Sequence, residues 1–393
     1  MTGTVEDFTS IPVGQLGIIA LPGCEELVKK VDDYLVHWRY GRESEHKATI
    51  AFSGYQKDSY IIKTAFPRFG TGEGKAVIRQ SVRGFDIFIF CDAFNHGVTY
   101  EMYGQTVPMS PDAHYANLKR AISAIGGKAR RITVIMPMLY EGRQHRRAGR
   151  ESLDCADSLQ ELHNFMGVDN IITFDAHDAR VQNAIPLGGF ENVQPVYQMI
   201  KAVVKNIKDL SFDKKDLMVI SPDEGGMSRS IYYSTVLGVE LGMFYKRRDY
   251  SVIKNGRNPI IAHEFLGDNV ENKDVIIVDD MISSGESMIE VAKKLKELKA
   301  KRIFVCTAFG LFCNGLDSFD KAYKDGLFDK VFTTNSIYRI PELKEREWYC
   351  EVDLSKYISY IIDTLNHDMS VSKLLNPVER INSLLIKYGY RKA

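Results

Sequence analysis

No charge of either sign predominates in this 393-residue sequence, because 51 lysines and arginines are matched by 51 aspartates and glutamates. A balanced chain has no global field that attracts nucleic acid or an anionic membrane, so any anion site must be local. Long apolar runs are also missing, since none approaches the roughly 20 residues that a membrane span requires. Residues 1–15 contain no basic segment followed by an apolar core. We therefore expect a soluble, cytoplasmic protein that binds neither membrane nor nucleic acid.

Cysteine is scarce and shows no informative spacing. The six cysteines form no CxxC pair and no zinc-ligand pattern. Several fall within apolar strand patterns, where a free thiol simply packs. Internal repeats of short period and low-complexity segments are absent as well. These observations predict a reducing compartment and ordinary globular domains.

The length and the order of the predicted elements indicate two domains. A chain of 393 residues is long for one core, and its 45% hydrophobic content allows sizeable cores. The alternation of strand and helix patterns restarts near residues 188–193. We predict an N-terminal domain at residues 1–190, a C-terminal domain at residues 191–365 and a helical tail at residues 366–393.

The most informative stretch is residues 275–287. It begins with Val-Ile-Ile-Val, which predicts a strand buried on both faces, as in a parallel sheet. Asp279 and Asp280, the acidic pair, follow, and we expect them to end the strand. Apolar residues then recur with a period near 3.6, so a helix is expected to begin near Ser287.

Small residues between the acidic pair and the helix suit a phosphate. They allow backbone N–H groups to close around an anion at the positive end of a helix. Two adjacent carboxylates would repel a phosphate, but they can accept hydrogen bonds from vicinal ribose hydroxyls or face a divalent cation. The stretch therefore predicts a sugar-phosphate site, with an ordinary polar loop as the alternative. The small residues are Ser283, Ser284, Gly285 and Ser287.

This stretch resembles the phosphoribosyl-pyrophosphate (PRPP) binding motif of phosphoribosyltransferases and of ribose-phosphate diphosphokinases, the PRPP synthetases. Further motifs similar to those of PRPP synthetases occur in the family's order, from about residue 16 to residue 375. The resemblance implies that the acidic pair binds ribose and that the following residues bind the 5-phosphate of ribose 5-phosphate. The residues so implied are Asp279, Asp280, Ser283, Ser284, Gly285, Glu286 and Ser287.

Two segments of the predicted N-terminal domain are similar to the family's ATP-binding motifs. Residues 68–73 precede a Ser-Val-Arg-Gly turn, and the resemblance implies that Phe69 stacks on adenine and that Glu73 reaches the ATP of a neighbouring subunit. A basic loop follows the strand predicted at residues 132–136, where ligands of open α/β sheets bind. The residues there that the resemblance assigns to the nucleotide are Arg143, Gln144 and His145.

Two further segments are similar to the family's metal site. Asp175 and His177 follow the strand predicted at residues 171–174. His177 corresponds to the histidine that the family has at its metal–ATP site. Asp223, in a Ser-Pro-Asp-Glu-Gly-Gly run, matches the second ligand. Histidine is an uncommon ligand of Mg²⁺, so the implied site is one that the nucleotide bridges.

The catalytic residues implied by the resemblance are Lys246 and Arg248. They follow the strand predicted at residues 239–244 and match the family's catalytic loop. There they would neutralise the diphosphate during its transfer. A short basic run is otherwise a weak signal, and it gains weight from its place before the acidic pair.

The resemblance implies two α/β domains of the phosphoribosyltransferase type, each a mostly parallel sheet flanked by helices. It implies an enzyme that transfers the diphosphate of ATP to the C1 hydroxyl of ribose 5-phosphate, giving PRPP and AMP, with Mg²⁺ as cofactor. Such a reaction depends on positioning and on neutralisation of negative charge. The implied partners are ATP, ribose 5-phosphate and further copies of the chain, as dimers that assemble into a hexamer.

The chain departs from the family at several positions. His145 and Ser283 each replace an Asp, Glu286 replaces a Gly and Phe309 replaces a His. Insertions of unassigned role lie near residues 36–67 and 94–112. One alternative is a catalytically silent member that binds nucleotide and regulates an active synthetase. A phosphoribosyltransferase that uses PRPP and a base is the second alternative.

Overall fold

The computed structural model describes residues 10–42, 54–147, 149–248 and 260–392. The chain divides into two compact units. The first contains residues 1–194, 335–338 and 353–376, and the second contains residues 195–334, 339–352 and 377–393. The domain limits given above remain predictions. Residues 353–365, which we assigned to the C-terminal domain, make their contacts with the first unit.

None of the helices among the described residues has the length and apolar character needed to cross a membrane. The strands are β1 (Gln15–Ala20), β2 (Thr64–Ala65), β3 (Val77–Ile78), β4 (Phe85–Phe90), β5 (Thr99–Met102), β6 (Gln105–Pro108), β7 (Arg131–Ile135), β8 (Asn170–Phe174), β9 (Gly189–Val193), β10 (Leu217–Ser221), β11 (Glu240–Arg248), β12 (Ile260–Leu266), β13 (Asp274–Ile282), β14 (Ile303–Gly310), β15 (Lys330–Thr334) and β16 (Tyr349–Val352). The α-helices are α1 (Glu25–Gly41), α2 (Pro111–Ile125), α3 (Asp154–Gln160), α4 (Val196–Asn206), α5 (Met227–Leu237), α6 (Glu286–Glu297), α7 (Asp317–Lys324), α8 (Ser355–Asn366), α9 (Ser372–Leu375) and α10 (Val378–Lys387).

A five-stranded parallel sheet organises the first unit, with the strand order β1-β4-β7-β8-β9. In β4, Phe-Asp-Ile-Phe-Ile-Phe, every residue after the first is buried, as expected for a strand that is covered on both faces. Helix α2 begins after Ser110, whose hydroxyl accepts a hydrogen bond from the Ala113 N–H (3.2 Å). Because β4, β7 and β8 are adjacent and parallel, their carboxyl ends lie side by side at one edge of this sheet.

The second unit contains a seven-stranded sheet with the order β12-β11-β10-β13-β14-β15-β16. Among its described strands, β12 alone runs antiparallel to its neighbour. Strand β13 lies between β10 and β14, and residues 274–278 at its start are buried. The prediction of α/β units with mostly parallel sheets flanked by helices is confirmed.

Two strands are longer than the sequence predicted. The acidic pair does not end β13, which continues to Ile282 because β14 stays in parallel register with it up to Gly310. The loop predicted from residue 245 is also wrong over its first residues, because β11 continues to Arg248 in antiparallel pairing with β12. In both cases hydrogen bonds to a neighbouring strand extend the strand. The local sequence does not predict such pairing.

The segment near residues 94–112, predicted as an insertion, contains the β5–β6 hairpin. Its turn residues Tyr103 and Gly104 both have positive φ, 50° and 75°, as a two-residue hairpin turn of type I′ requires. In the other predicted insertion, Tyr60 and Ile62 exchange backbone hydrogen bonds with Ile18 of β1, each of 2.8 Å. Residues 43–53 of that segment lie outside the described residues.

A buried charged network joins α1 to α8 within the first unit. Asp363 accepts hydrogen bonds from Arg39 (Nε 3.0 Å, Nη2 2.8 Å) and from Arg42. The three side chains are at most 6% exposed. Buried charges are tolerated when they are paired and hydrogen-bonded in this way. This network explains why α8 belongs to the first unit, which the sequence did not reveal.

His367, one helical turn after Asp363, gives the first unit an acid-sensitive stability. Burial lowers the pKa of this imidazole to about 4, and the charge of Asp363 opposes the shift only in part. An unfolded histidine has a pKa of about 6.5, so the unfolded state binds more protons in the interval between these two values. This contribution to stability is therefore complete above about pH 6.5 and is lost as the pH falls through the folded pKa, by up to about 1.4 kcal/mol for each pH unit.

Denaturant titrations between about pH 7 and pH 4 test this prediction. The His367→Gln variant, which cannot titrate, is expected to show a shallower loss of unfolding free energy over this interval. Equal slopes for the two proteins would contradict the assignment.

Candidate active site

Acidic side chains gather at the carboxyl edge of the sheet in the second unit. Asp223 follows β10, and Asp279 and Asp280 lie near the end of the adjacent strand β13. Arg229, in the first turn of α5, places its Nη1 3.8 Å from Asp279 Oδ1. Residues that are far apart in sequence meet here because adjacent parallel strands end at the same edge.

The carboxylate of Asp279 is in an unfavourable environment. Its pKa is raised well above the ordinary value, first by burial and then by the charges of Asp280 and Asp223, while Arg229 opposes the shift. Backbone hydrogen bonds fix the pair, since Asp279 Oδ1 accepts the Asp280 N–H and Asp280 Oδ1 accepts the Met281 N–H, both at 2.9 Å. Like charges held in this way suit ribose hydroxyls or a divalent cation, either of which relieves the repulsion.

The turn at Asp223 brings the start of α5 close to β13. Asp223 Oδ1 accepts the N–H groups of Gly225 (3.0 Å) and Gly226 (3.3 Å). A Cβ atom at Gly226 would lie 2.9 Å from Ser221 Oγ and 3.4 Å from Val278 O. Glycine therefore allows the close approach that places Arg229 beside the acidic residues.

The phosphate loop, residues 283–287, contains the three residues between β13 and α6 and the first two residues of α6. Gly285 has a φ of 85°, and a Cβ atom there would lie 2.1 Å from Phe319 Cε2. Helix α6 begins at Glu286, directly before the predicted start, with Gly285 as its N-cap. The N–H groups of the first turn have no acceptor within the helix, so this end of α6 can bind an anion.

Three of the departures from the family lie in or near this loop. Glu286 is exposed, and its Oε1 accepts a hydrogen bond from Asn314 Nδ2 (3.5 Å). Ser283 Oγ lies 3.8 Å from the Cys313 thiol. Phe309 is buried within β14. The Glu286 carboxylate is therefore turned toward solvent and the segment after β14.

Three of the predicted nucleotide residues and two of the predicted metal ligands follow adjacent strands of the sheet in the first unit. Arg143, Gln144 and His145 follow β7, and Asp175 and His177 follow the adjacent strand β8. The rings of His145 and His177 meet edge to face, with centroids 5.2 Å apart. The structure thus brings these two segments together. Asp175 itself is buried, with a φ of 43°.

Asp178 belongs to the same cluster, although the sequence analysis gave it no role. Its Oδ2 lies 3.5 Å from His145 Nε2. Arg180 donates from Nε to Asp178 Oδ1 (2.9 Å) and from Nη2 to Oδ2 (2.5 Å), and these hydrogen bonds hold the pKa of Asp178 at about 2. An ionised carboxylate therefore lies beside His145, the position at which the family has an Asp.

Residues 68–74, the aromatic loop, form a closed turn in the first unit. The Phe69 N–H donates to Glu73 O (2.9 Å), and the Gly72 N–H donates to Phe69 O (2.8 Å). The Phe69 ring is 58% exposed. A large exposed ring on a closed turn is available to a ligand or a neighbouring chain.

Lys246 and Arg248 lie in β11, where their backbones pair with His263 and Ile260 of β12. Residues 249–259, the next part of the predicted catalytic loop, lie outside the described residues.

The described residues contain no group of three or more His, Cys, Asp or Glu side chains arranged to hold a metal. The predicted ligands are Asp175, His177 and Asp223. Mg²⁺ prefers oxygen ligands, keeps several waters and is usually shared with substrate phosphates. Asp175 and His177 belong to the first unit and Asp223 to the second. Neither group is a cage by itself, so donors of this kind fit a cation whose other ligands come from the nucleotide and from water.

Comparisons with known proteins agree with this geometry. The structure is similar to the phosphoribosylpyrophosphate synthetase from Mycobacterium smegmatis, with a TM-score of 0.69 and 20% identity over 90% of this chain and 99% of that one. Residues 189–336 match the model of the phosphoribosyl transferase domain, and residues 16–165 match that of the N-terminal domain of ribose phosphate pyrophosphokinase. The fold and the sites thus define a protein of the phosphoribosyltransferase type.

The curated relatives identify the family. The ribose-phosphate pyrophosphokinase of Mycoplasma pneumoniae is 34% identical over 274 residues, which cover 68% of this chain and 74% of that protein. The chain belongs to the ribose-phosphate pyrophosphokinase family. The enzyme of the same name from Mycoplasma genitalium is 28% identical over 84% of this chain and 95% of its own length. The predicted family, fold class and enzyme class are confirmed.

Sequence reasoning missed Arg229, which contacts the acidic pair. A signal was available, because a cation in the first turn of a helix is unfavourable beside the positive end of the helix dipole. An arginine at that position, directly after a Gly-rich turn, indicates a nearby carboxylate that compensates.

Proposed function

We propose that this chain transfers the diphosphate of ATP to the C1 hydroxyl of ribose 5-phosphate, forming PRPP and AMP. The bond that forms joins the C1 oxygen to the β-phosphorus, and the hydroxyl loses its proton. The bond that breaks joins the β-phosphorus to the oxygen that leaves with AMP. The proposal rests on one observation: the acidic pair is followed by the phosphate loop, in which Gly285 is the N-cap of α6. The chain also belongs to the ribose-phosphate pyrophosphokinase family.

The proposed ribose 5-phosphate site, in the second unit, contains acidic side chains on one side and N–H donors on the other. Asp279 and Asp280 accept hydrogen bonds from the ribose hydroxyls, and the N–H groups of the phosphate loop bind the 5-phosphate. Exchanging the ends of the sugar would place a phosphate against carboxylates, so the charge pattern fixes the orientation of C1. The residues proposed for ribose 5-phosphate are Asp279, Asp280, Ser283, Ser284, Gly285, Glu286 and Ser287.

The residues proposed for ATP belong to the first unit. We assign Phe69 and Glu73 to the adenine nucleotide, together with Arg143, Gln144 and His145. Because Asp178 lies beside His145, it can supply the negative charge that the family obtains from an Asp at that position.

Charge neutralisation comes from a cation and from two basic residues. Asp175, His177 and Asp223 are the residues proposed as ligands of Mg²⁺, which would supply positive charge to the diphosphate. Lys246 and Arg248 neutralise the charge that spreads during transfer.

The proposed setting is nucleotide biosynthesis in the cytoplasm, by a homo-oligomer of dimers that assemble into a hexamer. The exposed ring of Phe69 supports self-association, since it is available to a neighbouring chain.

A catalytically silent, regulatory family member is the second candidate. Glu286 favours it, because a carboxylate in the phosphate loop replaces the Gly of the family. Its contact with Asn314 argues against a direct clash with phosphate.

Incubation of the protein with ATP, Mg²⁺ and ribose 5-phosphate, with AMP followed by chromatography, separates the two functions. We expect AMP release to require ribose 5-phosphate and to stop when a chelator removes the cation. Lys246→Ala should lower kcat about a hundredfold, because one of the two positive charges proposed to neutralise the transferred diphosphate is lost. Lys214→Ala, at an exposed lysine of the same unit, serves as the control. Absence of AMP at every inorganic phosphate concentration would support the silent member instead.

A further inference from the structure

The β5–β6 hairpin is a feature of this chain that the proposed reaction does not explain. It lies within the segment near residues 94–112 that the family motifs do not account for. Its side chains alternate in exposure along β5, so Tyr100 and Met102 are half-buried while Thr99 and Glu101 are exposed. The half-buried face meets the aromatic loop.

Arg68, at the start of the aromatic loop, makes the main side-chain contact. Its guanidinium carbon lies 4.6 Å from the centroid of the Tyr100 ring. The same group donates to Gly72 O (Nη1, 2.9 Å) and to Asn117 Oδ1 on α2 (Nη2, 3.2 Å). One side chain thus ties together both ends of the loop, the hairpin and a helix of the core.

Two contacts at the tip of the hairpin add to this connection. The Tyr103 N–H donates to Gly70 O (2.8 Å), which joins the hairpin turn to the residue after Phe69. Gly72 lies against Met102, since a Cβ atom at Gly72 would meet the thioether sulfur at 2.7 Å. The loop is therefore held on both sides of Phe69.

We propose that the β5–β6 hairpin braces the aromatic loop, with the Tyr100 ring under the Arg68 guanidinium as its main contact, so that Phe69 meets the adenine of ATP in one conformation. This inference rests on the proposed function of Phe69. Tyr100 and Arg68 are positioning residues in this arrangement, because they act on the nucleotide through Phe69.

The physical reason is preorganisation. An exposed loop that samples several conformations loses conformational entropy when it binds, which weakens affinity without altering the chemical step. A loop that is already fixed avoids that loss. Loosening the brace should therefore change KM for ATP and leave kcat nearly constant.

Tyr100→Leu and Tyr100→Phe form a matched pair that tests the proposal. Leucine removes the aromatic face and should raise KM for ATP about fivefold, whereas phenylalanine keeps the face and should leave KM unchanged. Hydrogen exchange of residues 68–74 should accelerate in Tyr100→Leu and remain slow in Tyr100→Phe. Glu101→Ala, on the exposed face of the same strand, is the control and should alter neither quantity.

The outcomes distinguish this inference from the proposed function. Unchanged hydrogen exchange in Tyr100→Leu would overturn the brace. The brace would also be overturned if Phe69→Ala raises KM for ATP while Tyr100→Leu shows faster exchange and an unchanged KM. If Phe69→Ala leaves KM unchanged, the assignment of Phe69 to adenine fails first, and the role of the brace in ATP binding fails with it. A thermal melt of each variant separates these results from loss of folded protein.

Discussion

Asp279→Asn is expected to lower kcat/KM for ribose 5-phosphate about a thousandfold, which corresponds to about 4 kcal/mol of transition-state stabilisation. Asp279 would accept hydrogen bonds from the sugar, and a charged acceptor contributes more than a neutral one. An amide at this position would also present a donor to a ribose hydroxyl. Initial rates at varied ribose 5-phosphate, with ATP saturating, measure the effect.

The same substitution should raise the melting temperature of the unliganded protein. The pKa of Asp279 is raised by burial and by the neighbouring charges of Asp280 and Asp223, so its ionised form is unfavourable in the folded state. A neutral side chain of similar shape removes that repulsion. Lost activity together with increased stability identifies a residue that is retained for its chemistry.

Asp274→Asn, at the opposite end of the same strand, is the matched control. Asp274 accepts hydrogen bonds from Arg302 (Nε 2.9 Å, Nη2 2.5 Å) and is buried. The Arg302 side chain is 25% exposed, so the loss of this charged pair should cost about 1–2 kcal/mol, and the variant should melt lower and keep its kcat. If Asp279→Asn behaved like Asp274→Asn, with reduced stability and unaltered catalysis, the acidic pair would be structural.

Gly285→Ala is expected to destabilise the second unit by about 3 kcal/mol and to raise KM for ribose 5-phosphate. Two effects combine, because alanine is strained at a φ of 85° and its Cβ would lie 2.1 Å from Phe319 Cε2. The ring stacks on Trp348, with centroids 5.6 Å apart, and cannot move without disturbing the core. The phosphate loop must therefore shift instead, which displaces its N–H groups. Denaturant unfolding and steady-state kinetics measure the two effects.

Gly315→Ala separates backbone strain from the steric clash. Gly315 has a φ of 78°, and a Cβ atom there would meet nothing within 4 Å, so only the strain of about 1 kcal/mol should appear. In a Phe319→Leu background, Gly285→Ala should cost less than in the wild type, since the smaller side chain relieves the contact. Equal costs for the two glycine variants would show that the contact with Phe319 plays no part.

Much of the fold follows from patterns that are local in sequence. The Val-Ile-Ile-Val run predicts a buried strand because burial on both faces requires a continuous apolar segment. The apolar residues that follow predict the start of α6 to within one residue, because they recur with the period near 3.6 that is typical of a helix. The small residues between them predict an anion site because its donors are backbone groups, which depend little on the rest of the chain.

Features that depend on a distant partner could not be predicted in this way. The ends of β11 and β13 depend on hydrogen bonds from β12 and β14. The place of α8 depends on the network of Asp363 with Arg39 and Arg42.

The sequence by itself determined the family and the class of reaction, and it predicted residues for the sugar phosphate. These properties reside in short motifs whose backbone and side-chain chemistry is local. Only the tertiary structure decided that Arg229 lies near Asp279, that Asp178 lies beside His145 and that a hairpin contacts the aromatic loop. Each of these depends on side chains that meet across separate elements, and such contacts are set by packing rather than by spacing along the chain.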